Sequence, residues 1–258
     1  MDTTRSADGT TIAYDRYGSG TPLILVNGAL STRSGMHPYA EALAPDFTVI
    51  TYDRRGRGDS TDTSPYSVAR EIQDLGALIY AVGGSAAVYG HSSGAALTAM
   101  AASSLPITRI VLHEPPYGPD DEESKRQSDE AGSAVLHLLA EGRRTDAVAA
   151  FLTMAGMPSE VAAQYAPGMA DVAHTLAYDF AVMDHASKGG IVPVSLLEGL
   201  QQPTLVVAGS ASPPFMIEAA RAVAKTVPNG RLVELDGQHH LVPAEVLAPV
   251  LQEFLSPR

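Results

Sequence analysis

The sequence contains no cysteine in its 258 residues. That absence excludes disulfide scaffolds, thiolate ligation of zinc or iron–sulfur clusters, and every catalytic scheme built on a thiol. Any covalent nucleophile has to come from oxygen or nitrogen. Positive charge is scarce: 17 Lys and Arg against 29 Asp and Glu leave a formal net charge of −12. Affinity for nucleic acid or an anionic membrane needs clustered cations that displace counterions, so neither partner is expected, and the acidic surplus reads as a solubility feature. Long apolar runs are lacking too. Charged, proline or glycine residues interrupt each candidate short of the roughly 18 to 20 residues that span a bilayer. Met1 to Arg5 leads into polar residues rather than the apolar core of an export signal. The expectation is a cytoplasmic protein, monomeric or homodimeric.

What is present is an alternation. Residues 9–17 alternate loosely, as in a half-exposed strand, whereas Pro22 to Val26 is a short continuous apolar run ending at Asn27-Gly28. Such runs suit strands buried on both faces. Similar runs recur at Phe47–Tyr52, Ala86–Tyr89, Ile107–Leu112, Thr204–Ala208 and Arg231–Leu235. Helix-length stretches separate most of them, at Pro38–Leu43, Ser67–Ala81, Ser93–Ser103, Pro214–Thr226 and Ala244–Phe254. This alternation predicts an α/β fold with a doubly wound, mostly parallel sheet and a ligand site at the carboxyl ends of its strands.

One segment breaks the rhythm. From Tyr117 to about Gly190 no strand-like run occurs, while helical patterns fall at Ala131–Ala140, Asp146–Met154, Glu160–Gln164 and Asp171–Met183. Residues 117–190 are therefore expected to form a helical lid inserted into a core made of 1–116 and 191–258. The acidic run Asp120-Asp121-Glu122-Glu123 at its entrance reads as a solvated loop.

Among candidate chemical groups, Gly90-His91-Ser92-Ser93-Gly94 follows one predicted strand and opens a helix, the context required of a G-x-S-x-G nucleophile elbow. The serine sits at the apex of a tight turn, and glycines two positions away let strand and helix pass closely. The helix amino terminus beneath Ser92 favours developing negative charge.

With Leu25-Val26-Asn27-Gly28-Ala29 after an early strand, Tyr52-Asp53-Arg54-Arg55-Gly56-Arg57-Gly58-Asp59-Ser60 after the next and Asp236-Gly237-Gln238-His239-His240 after the last, the chain resembles the α/β-hydrolase family over nearly its whole length. The resemblance implies Ser92 as nucleophile, an oxyanion hole from the backbone N–H groups of Ala29 and Ser93, and His240 as base, with adjacent His239 as its rival. No histidines are spaced as metal ligands, so neither metal nor cofactor is expected. His91, His113, His37, His137, His174 and His185 read as packing or surface residues.

The resemblance also exposes a gap. Family members usually carry an aspartate a few residues beyond the penultimate strand, where this chain has Gly209-Ser210-Ala211-Ser212-Pro213, and no acidic residue lies between Glu198 and Glu218. Glu114, at the end of the run Ile107 to His113, is the substitute that the resemblance permits, with Asp184 and Asp236 as remoter candidates. The function implied is a serine hydrolase acting on a small or medium acyl substrate, namely a carboxylic ester, thioester or lactone, with perhydrolysis as a side activity. The rival is a non-catalytic or very slow ligand-binding or biosynthetic protein that has lost its acid. Met36, Tyr117, His174 and Tyr178 are the expected pocket liners, with Tyr165 and Met183 as further candidates, and the Asp53 to Ser60 loop is expected to be structural.

Overall fold

The computed structural model describes residues 1–183 and 190–256; Asp184 and His185 lie outside them. An eight-stranded sheet forms the centre. Its strands are β1 (Asp2–Arg5), β2 (Thr11–Tyr17), β3 (Thr21–Val26), β4 (Phe47–Tyr52), β5 (Ala86–His91), β6 (Ile107–His113), β7 (Thr204–Gly209) and β8 (Gly230–Leu235), in the spatial order β1-β2-β4-β3-β5-β6-β7-β8. The pairings of β2 with β1 and β4 are antiparallel, and all those from β4 to β8 are parallel. The central strands are buried along most of their length, β5 and β7 throughout, as their unbroken apolar runs require. Strand β1 was not foreseen: its residues Asp-Thr-Thr-Arg are mostly exposed and carry no apolar period, because an edge strand needs a partner on one side only.

Helices cover both faces. One face buries Leu75, Leu78 and Ile79 of α2 (Val68–Ala81), Ala95 to Ala101 of α3 (Ser93–Ala101) and Ala219, Ala220 and Val223 of a late helix, Pro214–Thr226. The other buries Ala40 and Leu43 of α1 (His37–Leu43) with Leu247, Leu251 and Phe254 of the final helix, Ala244–Leu255. Ser67 caps α2 by accepting from the Arg70 amide.

Between β6 and β7 lie α4 (Glu122–Ala140), α5 (Arg144–Met154), α6 (Ser159–Tyr165), a 3-10 helix over Ala166–Thr175, α7 (Leu176–Val182) and the short α8 (Val194–Glu198). α4, α5, the 3-10 helix and α7 share a small core of Val135, Ala147, Val148, Ala166, Ala173, Leu176, Phe180 and Met183, into which Leu30 reaches from the loop after β3. Two expectations change here. The acidic run is no loop throughout: Asp121 caps α4, its carboxylate accepting from the Ser124 amide at 2.9 Å, and Glu122 and Glu123 lie in the first turn, where the helix dipole favours carboxylates. The single helix expected over Asp171–Met183 is split into the 3-10 turn and α7. Thr175 at the junction donates its hydroxyl to the Val172 carbonyl and accepts from Arg57. Among the described residues, no helix is long and apolar enough to cross a membrane.

Close backbone approaches join α3 to β3 and β5. A Cβ added to Gly94 would lie 2.3 Å from the Val26 carbonyl oxygen, and one on Gly90 2.4 Å from the Gly94 carbonyl oxygen. Backbone sits on both sides, so neither contact is relieved by a rotamer change. Gly94→Ala is therefore expected to cost at least about 1–3 kcal/mol in urea unfolding, whereas Gly142→Ala, in open space at a loop, costs only the strain of its positive φ.

Candidate active site

The parallel ladder delivers two residues side by side at the carboxyl edge. His91 pairs with His113 in register, and one step further the Ser92 amide donates to the His113 carbonyl while the Glu114 amide donates to that of Val207, each at 2.9 Å. Both residues have left-handed backbone, φ 54° at Ser92 and 44° at Glu114. Such conformations cost about 1–3 kcal/mol and persist where surroundings over-determine them. At Ser92 the turn lifts the side chain off the strand and starts α3, with the amide of Ser93 next in line. Gly28 of the β3 loop lies against this turn: a Cβ there would be 3.0 Å from that of Ser92.

Glu114 is wholly buried, and both of its carboxylate oxygens are occupied. Oε2 lies 2.5 Å from His240 Nδ1, and Oε1 accepts from the Ser212 hydroxyl at 2.6 Å and the Gly209 amide at 2.7 Å. Burial alone pushes this carboxyl's pKa up. The bonds from His240, Ser212 and Gly209 outweigh that and hold it below the usual carboxylate range. An ionised carboxylate only accepts, so Nδ1 of His240 carries the proton of this bond, and Nε2 is the ring nitrogen that Glu114 does not hold.

The family model described as the alpha/beta hydrolase family matches residues 23–250, which include both ends of this constellation. The chain belongs to the alpha/beta hydrolase family. An alpha/beta hydrolase from Sphaerobacter thermophilus DSM 20745 is similar in structure, with a TM-score of 0.87 and 49% identity over 99% of this chain and 100% of that one. A hydrolase from Pseudomonas aeruginosa PA01 shares the fold at 24% identity and a TM-score of 0.79, over 99% of this chain and 98% of its own. A poly(3-hydroxyalkanoate) depolymerase from Ectopseudomonas oleovorans is 29% identical, covering 91% of this chain and 84% of the relative.

In this alpha/beta hydrolase the position where the acid was missed, Ser212, is part of the arrangement: its hydroxyl donates to the glutamate that reaches the histidine. That partnership joins residues 98 apart and had no sequence signal. His239 is exposed, while His240 is half-buried against Glu114. Asp236 accepts only a long bond, 3.4 Å, from the Ser210 hydroxyl, and Asp184 lies outside the described residues. Of the expected pocket liners, Tyr117 is buried in the sheet core with Leu197 and Leu200, and Met36 in the cluster under α1. Tyr178 stacks on Tyr66 at 3.9 Å and donates to Asp62, with His174 edge-on to it at 6.3 Å. These four residues are spread over three separate packing groups. Tyr165 is exposed, and Met183 is buried in the helical segment's core. The described residues contain no cluster that could hold a metal.

Behind His240 stands a column of imidazoles that sequence reasoning took as packing only. The His91 ring lies 4.4 Å from that of His240 and 4.9 Å from that of His113. His91 Nε2 is 3.0 Å from the His240 carbonyl oxygen, so it donates there and ties down the loop carrying His240. Buried His113 pairs through Nδ1 with the Tyr89 hydroxyl at 2.7 Å. Burial, then the neighbouring His240, push the pKa of His91 down to about 3, and burial holds His113 well below its ordinary value. Both rings are neutral in the folded protein. The unfolded chain protonates each near pH 6.5, so stability falls as pH drops from 6.5 toward 3, because the unfolded state binds the extra protons. His91→Gln retains a donor for the His240 carbonyl but does not titrate. Urea unfolding between pH 6.5 and 4.5 is expected to show its pH slope reduced by about one proton, roughly 1.4 kcal/mol per pH unit; an unchanged slope contradicts the assignment.

Proposed function

We propose that the protein is a serine hydrolase that cleaves a carboxylic ester, thioester or lactone through an acyl-enzyme. The observation that carries this reading is the Glu114–His240 hydrogen bond at the strand edge where Ser92 sits at the elbow. A serine hydroxyl is a poor nucleophile until a base takes its proton. With Nδ1 of His240 held by Glu114, Nε2 is the nitrogen free to do so. Ser92 Oγ attacks the acyl carbon, the proton passes to Nε2, and negative charge gathers on the former carbonyl oxygen. The amides of Ser93 and Ala29 are the donors for that charge, supported by the contact of Gly28 with Ser92 and by the amino terminus of α3. Collapse returns the proton to the leaving group. Water activated by the same nitrogen then hydrolyses the ester to Ser92 and frees the acid. Glu114 stays ionised, countering the charge of the transient imidazolium. The helical segment between β6 and β7 serves as the lid.

Membership of the alpha/beta hydrolase family and relatives named hydrolase and depolymerase support the hydrolytic class. The rival reading, a binder that has lost its acid, is weakened because a buried carboxylate is hydrogen-bonded to His240. With p-nitrophenyl butyrate as probe, Ser92→Ala is expected to lower kcat by up to about 10⁶-fold. Glu114→Gln, which keeps the shape but loses the charge, is expected to lower it by about 10³- to 10⁴-fold. A fluorophosphonate should label the wild type on Ser92 alone. Absence of labelling with no ester turnover favours the binder.

A further inference from the structure

Within the Asp53 to Ser60 loop, expected to be structural, Arg54, Arg55 and Arg57 are among the largest fully buried side chains. Arg55 pairs with Asp74 of α2. Arg54 and Arg57 converge on Asp179 of α7, more than 120 residues away in sequence. Asp179 Oδ1 accepts from Arg54 Nη1 at 2.8 Å and from the Ser93 hydroxyl at 2.7 Å, and Oδ2 accepts from Arg57 Nη2 at 2.7 Å. Arg54 also donates through Nε to Glu71 at 2.5 Å and through Nη1 to the Ser93 oxygen at 3.0 Å. Two cations and two carboxylates, Arg54, Arg57, Glu71 and Asp179, thus balance in a space that water does not reach.

This network reaches the Ser93 side chain and the Gly28–Ala29 peptide, beside both N–H groups assigned to the oxyanion. Ser93 enters through its own hydroxyl. The second contact is less direct: Arg57 Nη1 donates to the Gly28 carbonyl at 2.6 Å and to that of Ser31 at 3.3 Å. The Gly28 carbonyl and the Ala29 N–H belong to one planar trans peptide and point in opposite directions. A guanidinium gripping the oxygen therefore fixes which way the N–H points, and its charge polarises the peptide so that the N–H is a stronger donor.

We infer that Asp179 and Arg57 are positioning residues for the oxyanion hole, so that α7 of the lid, and not the sheet domain alone, completes the site. The inference rests on the serine hydrolase reading. Stability alone does not call for the arrangement, since well-packed apolar residues of similar volume are often as stable as a buried ion pair or better. Burial, which opposes ionisation of Asp179, is outweighed by Arg57, Arg54 and the Ser93 hydroxyl, and its pKa lies below the usual carboxylate range; the clamp is therefore charged at neutral pH. A further consequence is that the lid cannot swing away as one rigid body without breaking these bonds.

The test compares Asp179→Asn, Arg57→Lys and Ser93→Ala with wild type in p-nitrophenyl butyrate turnover, inhibition by butylboronic acid and thermal unfolding. Losing an oxyanion donor costs about 10²- to 10³-fold in kcat, so misaligning one is expected to cost about 10- to 100-fold for Asp179→Asn and Arg57→Lys. Ser93→Ala, which keeps the amide and removes only the hydroxyl, should lose several-fold. KM should stay near wild type, while affinity for the boronic acid, which forms a tetrahedral adduct on Ser92, falls in step with kcat/KM. Should Asp179→Asn fail to fold, the other two variants carry the comparison. Folded variants with lowered Tm but kcat and boronate affinity within about twofold of wild type overturn the inference and leave the network purely structural. A wild type that neither turns over the ester nor reacts with a fluorophosphonate instead overturns the hydrolase reading, and the inference falls with it.

Discussion

The carboxylate of Glu114 is the point on which the site depends. It is buried, ionised and surrounded by three donors from three different places: His240 from the last loop, Ser212 from the turn after β7, and the Gly209 amide from the end of β7 itself. A buried charge left without such partners would be expelled or neutralised, so these segments have to meet at Glu114 for the edge of the sheet to be stable. The left-handed backbone of Glu114 is a local cost. It persists because the ladder bond to Val207 on one side and the carboxylate's bonds on the other leave little freedom.

A second buried electrostatic centre adjoins Ser93, the residue after Ser92, where Arg54, Arg57, Glu71 and Asp179 pair. The two centres differ in kind from the ion pairs on α4, where Arg126 meets Glu123 and Glu130 in solvent; exposed pairs of that sort contribute little and are screened by salt. The buried pairs are concentrated in the loop after β4: Arg54 and Arg57 meet Asp179 and Glu71 beside Ser93, and Arg55 meets Asp74 of α2.

The sequence shows the sheet clearly where strands are buried on both faces, because such strands are largely apolar runs; β3, β4, β5 and β7 are of this type, and β6 is so over Ile110 to Leu112. The elbow is legible for a related reason, since only glycine fits at 90 and 94. Glu114 could be read from its place one residue past an apolar strand, together with the lack of any acid between 198 and 218. Other features were hidden by distance or by weak local pattern. Nothing near Asp179 announces that it will meet Arg54 and Arg57, and Ser212 looks like a loss until its hydroxyl is seen against Glu114. The start of α4 was misread because an acidic cluster serves equally well as a solvated loop and as a capped first helical turn. His174 and Tyr178 were singled out from helical spacing, a pattern that says nothing about the partners each ring meets; the Tyr178 ring and hydroxyl are engaged by Tyr66 and Asp62.

The central claim is that Glu114 orients His240 through the Nδ1 proton. Proton NMR of the protein at neutral pH observes that hydrogen directly, because a ring N–H shared with a buried carboxylate resonates well downfield of the backbone amides. The account predicts one such resonance in the wild type, lost or shifted strongly upfield in Glu114→Gln and retained in Asp236→Asn. A resonance that survives Glu114→Gln unchanged and disappears in Asp236→Asn would contradict it.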